Sequence, residues 1–401
     1  MGDVMFLAHR VPFPPDRGDK IRAFNILKHL SGTRRVHVVT FADDRADLTR
    51  ESGLELGESR IVWRGKSQAV AGVQALVSGK PLSLTAFADN QVRRAVADIL
   101  TRHPVDTIYV FSGQMAQYLP ADCGARIVMD FVDMDSAKFE TYGATTRGVA
   151  GWMLRREARL LAAFESAVAA RADASLFVSE AEAALFRERT GAARVHAVEN
   201  GIDTVAFDPA AKFGRIERDE PLIVFTGQMD YRPNIEGVSW FAQTIMPRVL
   251  ARHPHACFAI VGRKPDAAVV ALGRQAGVMV TGEVADVRPW LAAASVVVAP
   301  LKLARGVQNK VLEAMAMARP VVASRAAATG IDHGGTIEVH QTAEGMAAAI
   351  DRLMTDPARG AALGAAARQR VIDHYGWGAK LEVLDGIMGG GGSGTRKAAA
   401  A

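Results

Sequence analysis

Lys310 and Glu313 stand three residues apart in the stretch Ala304–Ser324, which reads ARGVQNKVLEAMAMARPVVAS. The apolar run before it, Ala294–Pro300, predicts a buried parallel strand, and Pro320–Ser324 predicts the next. Between them the spacing predicts a helix over 308–317, with Val311, Leu312, Met315 and Ala316 turned towards a sheet. Gly306 frees the preceding turn, so backbone N–H groups can reach an anion. A helix N-terminus, an ammonium and a carboxylate together suit a nucleotide diphosphate. Lys310 would meet phosphate and Glu313 would accept ribose hydroxyls. An ordinary βαβ crossover with solvated charges has the same pattern, so this stretch alone leaves both readings open.

Other residues offer weaker chemistry. Asp133-Met134-Asp135 places two carboxylates where they could hold a divalent ion, or where Asp133 could act as a base at a strand end. Three-residue matches are frequent by chance, and no metal is expected. Gly18 follows the first strand and either lets the backbone approach phosphates or merely turns the chain. Arg64-Gly65-Lys66-Ser67 resembles the end of a phosphate loop, but Arg60 stands where its first glycine is needed. The glycine-rich tail from Gly389 onward matches GxGxxG formally; it follows no strand and opens no helix. It reads as a disordered tail, 389–401. The histidines, His253 and His255 among them, lack ligand spacing and read as surface or core residues. Cys123 and Cys257 read as structural, which suits a reducing compartment.

These residues need a scaffold. With 401 residues, 49% hydrophobic and 23% charged, the chain is long enough for two cores. A net charge of +5 favours anionic substrates or an anionic membrane surface, without a basic block that would indicate nucleic acid. No signal peptide and no spanning helix are expected, which predicts a cytoplasmic protein, free or held at the inner face of the membrane. Apolar strands begin at Val4, Val36, Ile61, Thr107, Arg126, Ser175 and Val195, alternating with helices such as 19–30, 149–171 and 180–189. After Asn200-Gly201-Ile202-Asp203 and an irregular polar segment, a second alternating series starts at Leu222. It has strands from Leu222, Cys257, Val278 and Val296, helices over 235–252 and 267–275, and closing helices 343–354 and 360–388. Two doubly wound α/β domains follow from this alternation.

Several motifs, in order, carry a resemblance. Glu313-Ala314-Met315-Ala316 with Pro320-Val321-Val322 is similar to the donor-site signature of the GT-B glycosyltransferases, in the retaining group called family 4. Asn200-Gly201-Ile202-Asp203 with Phe207 and Pro209 resembles that family's interdomain link. Thr226-Gly227-Gln228-Met229, Val261-Gly262 and Thr281-Gly282-Glu283-Val284 fit its donor-domain loops. ARGVQNKVLEAMAM with GQMDYRPN resembles the sugar transferases of bacterial exopolysaccharide and exosortase loci. The resemblance implies two Rossmann-like domains facing across a cleft: an acceptor domain, 1–203, and a donor domain, 204–370. A C-terminal helix, 371–388, would pack back on the first. It also implies a nucleotide-diphosphate sugar as donor, a saccharide or lipid-linked acceptor, and no cofactor.

The chain departs from the family in places. Arg305 stands where an acid is usual, the family's phosphate-binding arginine and lysine are absent with Gln228 in the place of one, and Arg232 is the nearest cation. The diphosphate is therefore assigned to Lys310 and Arg305, with help from Arg232 or Arg263. Gly18, Gly227, Val284 and Glu313 complete the expected donor contacts, and Asp133 takes the place of the family's acceptor-side histidine. Trp63–Phe87 and Trp152–Arg156 mix cations with apolar residues and suggest a basic, apolar surface for peripheral membrane contact, or else helices with solvated arginines. A sugar-nucleotide epimerase and a non-catalytic nucleotide-sugar binder are the competing functions.

Overall fold

A computed structural model describes residues 2–15, 18–122, 124–304 and 307–389. Cys123, Arg305, Gly306 and the tail beyond Gly389 lie outside the described residues. Contacts divide the rest into two units. Residues up to Asn200 belong with those from Leu381 onward, and Gly201–Lys380 forms the other unit.

The first unit is built on seven strands: β1 (Asp3–Ala8), β2 (Val36–Ala42), β3 (Ser59–Trp63), β4 (Val105–Phe111), β5 (Arg126–Val132), β6 (Ala174–Phe177) and β7 (Val195–Ala197). They pair in parallel in the order β3-β2-β1-β4-β5-β6-β7. Val4 through Ala8 of β1 are all buried, an unbroken apolar run rather than an alternating one, because both faces of the sheet are covered. The helix Asn90–Arg102, which the sequence reading passed over, buries Val92, Ala95, Val96 and Ile99 at helical spacing behind an Asp89 cap. The order of strands reverses between β1 and β4, so the C-terminal ends of these strands open onto a switch point.

A polar network crosses this core. Arg22, on the helix Gly18–Ser31, donates from Nε to Asp130 Oδ2 at 3.0 Å and from Nη2 to Oδ1 at 3.2 Å. Its Nη1 donates to the Val198 carbonyl at 2.7 Å and to Asn200 Oδ1 at 2.9 Å. Tyr109 donates its hydroxyl to Asp130 Oδ2 at 2.8 Å. The first helix, β4, β5 and Asn200 are thus tied by one buried Arg22–Asp130 pair. Asp130 also accepts from the N–H of Val132, a β-branched residue held at φ 71° just before Asp133.

The second unit has six parallel strands: β8 (Leu222–Thr226), β9 (Cys257–Val261), β10 (Val278–Gly282), β11 (Val296–Ala299), β12 (Val321–Ala323) and β13 (Glu338–Val339). Their order, β10-β9-β8-β11-β12-β13, again reverses, here between β8 and β11. The predicted strands of this half are present. The edge strand β13 was not predicted, because two residues, one of them charged, carry no periodicity. The closing helix predicted over 360–388 is two helices, Pro357–Tyr375 and Trp377–Gly389. Gly376 leaves the helix because its backbone pairs with Ile202, whose N–H donates to the Tyr375 carbonyl at 2.7 Å. A Cβ on Gly201 would lie 2.5 Å from Trp377 Cα, so glycine is needed where these segments meet.

Candidate functional site

At the C-terminal ends of β8 and β9 the chain makes two glycine turns that interlock. Gly227 donates its N–H to the Val261 carbonyl at 3.0 Å, and Gly262 donates to the Gly282 carbonyl at 3.1 Å. A Cβ on Gly262 would fall 1.6 Å from the Gly227 oxygen, so no side chain fits there. A Cβ on Gly227 would lie 2.9 Å from both Asn234 Nδ2 and Lys310 Nζ. Bare backbone therefore fronts a cavity of about 660 Å³, with the start of the helix Asn309–Ala316 on its far wall. This is the switch point of the second sheet, where open α/β sheets bind ligands.

Lys310 reaches this cavity over the face of Phe225, its ammonium 4.1 Å from the ring centroid. It donates to Asn234 Oδ1 at 2.6 Å, and Asn234 Nδ2 donates in turn to the Gln228 carbonyl at 2.8 Å. Asn234 is 5% exposed on the helix Arg232–Trp240. Burial pushes the Lys310 ammonium down to about 8, while Glu313 pulls the other way. Burial also pushes the Glu313 carboxyl up, against the pull of Lys310. The Glu313 carboxylate makes no hydrogen bond or ion pair with any described residue, which leaves it for a hydroxyl-bearing ligand. The arrangement offers one cation with a neutral partner, free helix amides and an unpartnered acceptor, which together suit a phosphorylated polyol.

Of the residues the sequence reading assigned to the donor, Gly227, Arg263, Val284, Lys310 and Glu313 all line this cavity. Arg263 donates to Gln228 Oε1 at 3.3 Å. Arg232 is not among the lining residues. Its side chain is 88% exposed and pairs one turn along its own helix with Glu236, at 2.7 Å. Arg305 lies outside the described residues. Asn234 and Phe225 were missed, although Pro233-Asn234 opens a helix with an amide where a cap or a buried contact is expected.

Gly18 and Asp133 belong to the first unit. Gly18 opens its helix with nothing within 4 Å of the place a Cβ would occupy, so no close approach requires glycine there. Asp133 follows the left-handed Val132 and lines a small recess with Asp135, Ser83, Gln114 and Glu165. Burial raises the Asp135 carboxyl and pushes Glu165 up to about 7. Glu165 accepts from Ser136, from its N–H at 3.1 Å and its hydroxyl at 2.5 Å. His9, at the end of β1, lies 3.3 Å from Asp19 and stacks on Phe111. The sequence reading passed over His9, since Asp19 and Phe111 become its neighbours only on folding.

Asp3, His37 and His103 lie close enough to share a metal ion. The hydrogen bonds argue against one. The Glu58 N–H donates to His37 Nδ1 at 3.0 Å, so Nε2 carries the proton and donates to Asp3 at 3.0 Å. Neither nitrogen of the His37 ring keeps a lone pair for a metal.

The sequence model of the family described as glycosyl transferases group 1 matches residues 220–356. The match falls within the second unit, and the chain is a transferase. Sucrose-phosphate synthase from Thermosynechococcus elongatus is 17% identical, with 96% of this chain and 98% of that chain covered and a TM-score of 0.59. Anabaena HepE, in complex with UDP-glucose, is 16% identical, with 97% and 100% covered and a TM-score of 0.56. WaaG, a glycosyltransferase involved in lipopolysaccharide biosynthesis, is 18% identical, with 96% and 100% covered and a TM-score of 0.57. At these identities the likeness establishes the fold, two parallel-sheet Rossmann-like domains of GT-B type. No curated protein matches the sequence.

Proposed function

We propose that this protein moves a sugar from a nucleotide-diphosphate donor to a saccharide or lipid-linked acceptor, with retention and without a metal, as a family 4 enzyme of bacterial exopolysaccharide or glycoconjugate synthesis. The observation that carries the proposal is the cavity at β8 and β9, where Lys310, Glu313 and bare glycine backbone converge. The motifs Asn200–Asp203 and Glu313–Ala316 support the narrower assignment to retaining enzymes and to exosortase-type loci. The UDP-glucose bound to HepE makes a uridine diphosphate sugar the first donor to test.

In this reading Glu313 accepts the ribose hydroxyls and Lys310 faces the diphosphate. As the bond from the anomeric carbon to the phosphate oxygen breaks, negative charge grows on that oxygen. The Lys310 ammonium and the helix-start amides offset it, which is the role a metal would otherwise fill. Arg263 adds a second cation from the cavity wall, and Arg305 a third by its place in the sequence. Asp133, in the first unit, is the group assigned to the acceptor hydroxyl, taking its proton as the new bond to the anomeric carbon forms.

Peripheral membrane contact belongs to the same proposal, in altered form. Lys66 is turned inward to the Thr85 and Ala88 carbonyls, and Arg156 donates to the Ala75 carbonyl at 2.7 Å. The cations of the expected basic surface are largely engaged. What faces outward is apolar: Val73 (63% exposed) and Val77 (85%) on the helix Gln68–Ser78, and Trp152 (52%) on the helix Gly148–Arg171. No described helix is long and apolar enough to cross a membrane. Flotation with anionic vesicles at low salt tests this part, and absence of association removes it.

The central test is thermal stabilisation against a panel of nucleotide-diphosphate sugars. A donor at 100 times its Kd adds about 2.7 kcal/mol and raises the Tm by several degrees. Lys310→Ala abolishes that rise. If no nucleotide-diphosphate sugar shifts the wild-type Tm, the proposal fails.

A further inference from the structure

A second cavity, of about 310 Å³, lies in the first unit between the helices Asp135–Thr145 and Gly148–Arg171. Ser136, Glu140 and Ala144 line it from one helix, at four-residue spacing. Arg155, Ala158, Arg159 and Ala162 line it from the other, and Arg189 closes it. Its charges do not balance. Arg189 pairs with Glu140 at 2.5 Å, the only carboxylate among the described residues of the wall. Arg155 donates to the neutral carbonyl of Gly143 at 2.8 Å. Arg159 makes no hydrogen bond or ion pair with any described residue. Two guanidinium charges are left over, above a floor of alanines that leaves room for a ligand.

The position of Arg155 is built into the backbone. A Cβ on Gly143 would lie 2.9 Å from Arg155 Cγ, and one on Gly151 would lie 2.0 Å from the Thr146 oxygen and 3.1 Å from Arg155 Nη1. Two glycines thus clear the path along which this side chain is laid. A planar fork of N–H donors with no carboxylate to meet is complementary to phosphate oxygens.

We propose that Arg155, Arg159 and Arg189 form an anion site for a phosphate or diphosphate group, separate from the nucleotide cavity. The proposal deepens the transferase reading and rests on it in one respect: the ligand class would be a phosphorylated acceptor.

The test is calorimetric titration of the full chain, saturated with UDP, using two probes: inorganic pyrophosphate and farnesyl diphosphate. The expected result is a saturable site for at least one probe that weakens by about tenfold or more in Arg159→Gln, the loss of one charge-assisted contact. Arg159 is exposed and unpaired among the described residues, so this variant keeps the wild-type Tm and its UDP affinity. Arg155→Gln weakens the same site. Tighter binding of the farnesyl probe assigns the group to a lipid; equal binding assigns it to a soluble phosphate ester. If the UDP-saturated wild type binds neither probe, or the variants bind both unchanged, the anion site is overturned even though UDP binds. If UDP itself does not bind but pyrophosphate binding still depends on Arg159, the donor reading fails and the anion site stands.

Discussion

Lys310 and Asn234, 76 residues apart in sequence, meet at 2.6 Å between ammonium and amide oxygen. The amide orients the ammonium without neutralising it, and burial has already moved that group down to about 8. A bound diphosphate favours the charged form and draws a proton back onto Lys310. Between the free and bound pKa values, affinity for a nucleoside diphosphate should therefore fall as pH rises through about 8. Removing the acceptor with Asn234→Ala should move the fall to lower pH, and Lys310→Arg should flatten it. Titrations on either side of that pH read this directly, and a flat wild-type profile would sink the assignment of Lys310 to phosphate.

Gly262 touches the oxygen of Gly227 where a side chain would stand. Gly262→Ala should push the β8 turn into the cavity. The expected cost to folding is about 1–3 kcal/mol, the usual penalty of overpacking. If, as proposed, this turn faces the donor phosphates, nucleotide affinity should drop by at least about tenfold. Calorimetry and thermal unfolding on the same sample separate the two effects. Unchanged affinity would mean that the backbone here does not meet the ligand.

Arg22 and Asp130 are 1% and 0% exposed and serve each other. Asp130→Ala leaves a buried guanidinium without its counter-charge and should cost about 3–5 kcal/mol. Pairing that change with Arg22→Met should recover part of the loss. A double variant no more stable than the single one would mean that the cost lies in packing rather than in charge. Denaturant midpoints settle which.

Glu165 has its pKa raised by burial, from the ordinary carboxylate range to about 7. The folded chain therefore holds more protons than the unfolded chain between about pH 4.5 and 7. That contribution is complete at the acid end and is lost as pH rises through about 7. Glu165→Gln mimics the protonated form and keeps an acceptor for the Ser136 N–H. It should be more stable than the wild type at about pH 8 and nearly equal at about pH 5, as Tm values at the two pH values would show. A variant less stable on the alkaline side would contradict the raised pKa.

Most of the architecture was legible because parallel strands covered on both faces are written as short unbroken apolar runs, such as Val4–Leu7 and Ile223–Phe225. The cavity at β8 and β9 was legible where its walls come from local motifs: Lys310 and Glu313 on one helix, Gly227 and Gly262 each just after a strand. It was not legible where the chemistry is a meeting of distant residues. Nothing near Lys310 points to Asn234, and nothing near Arg22 points to Asp130. Arg232 misled because nearness in sequence to a glycine turn does not fix direction, and its side chain follows its own helix to Glu236. The break at Gly376 was hidden for a similar reason, since it depends on a backbone partner at Ile202.

The first unit is completed by residues from both ends of the chain. The closing helix brings Asp385 to 2.7 Å from His29 and buries Leu381 and Leu384. A ribosome delivers these residues only after the whole of Gly201–Lys380. Folding in order of synthesis, the usual habit of multidomain chains, is therefore closed to the first unit. The second unit can finish while the first still lacks the helix that carries Leu381 and Leu384. A chain truncated after Lys380 would leave the first unit without that helix and without the His29–Asp385 contact.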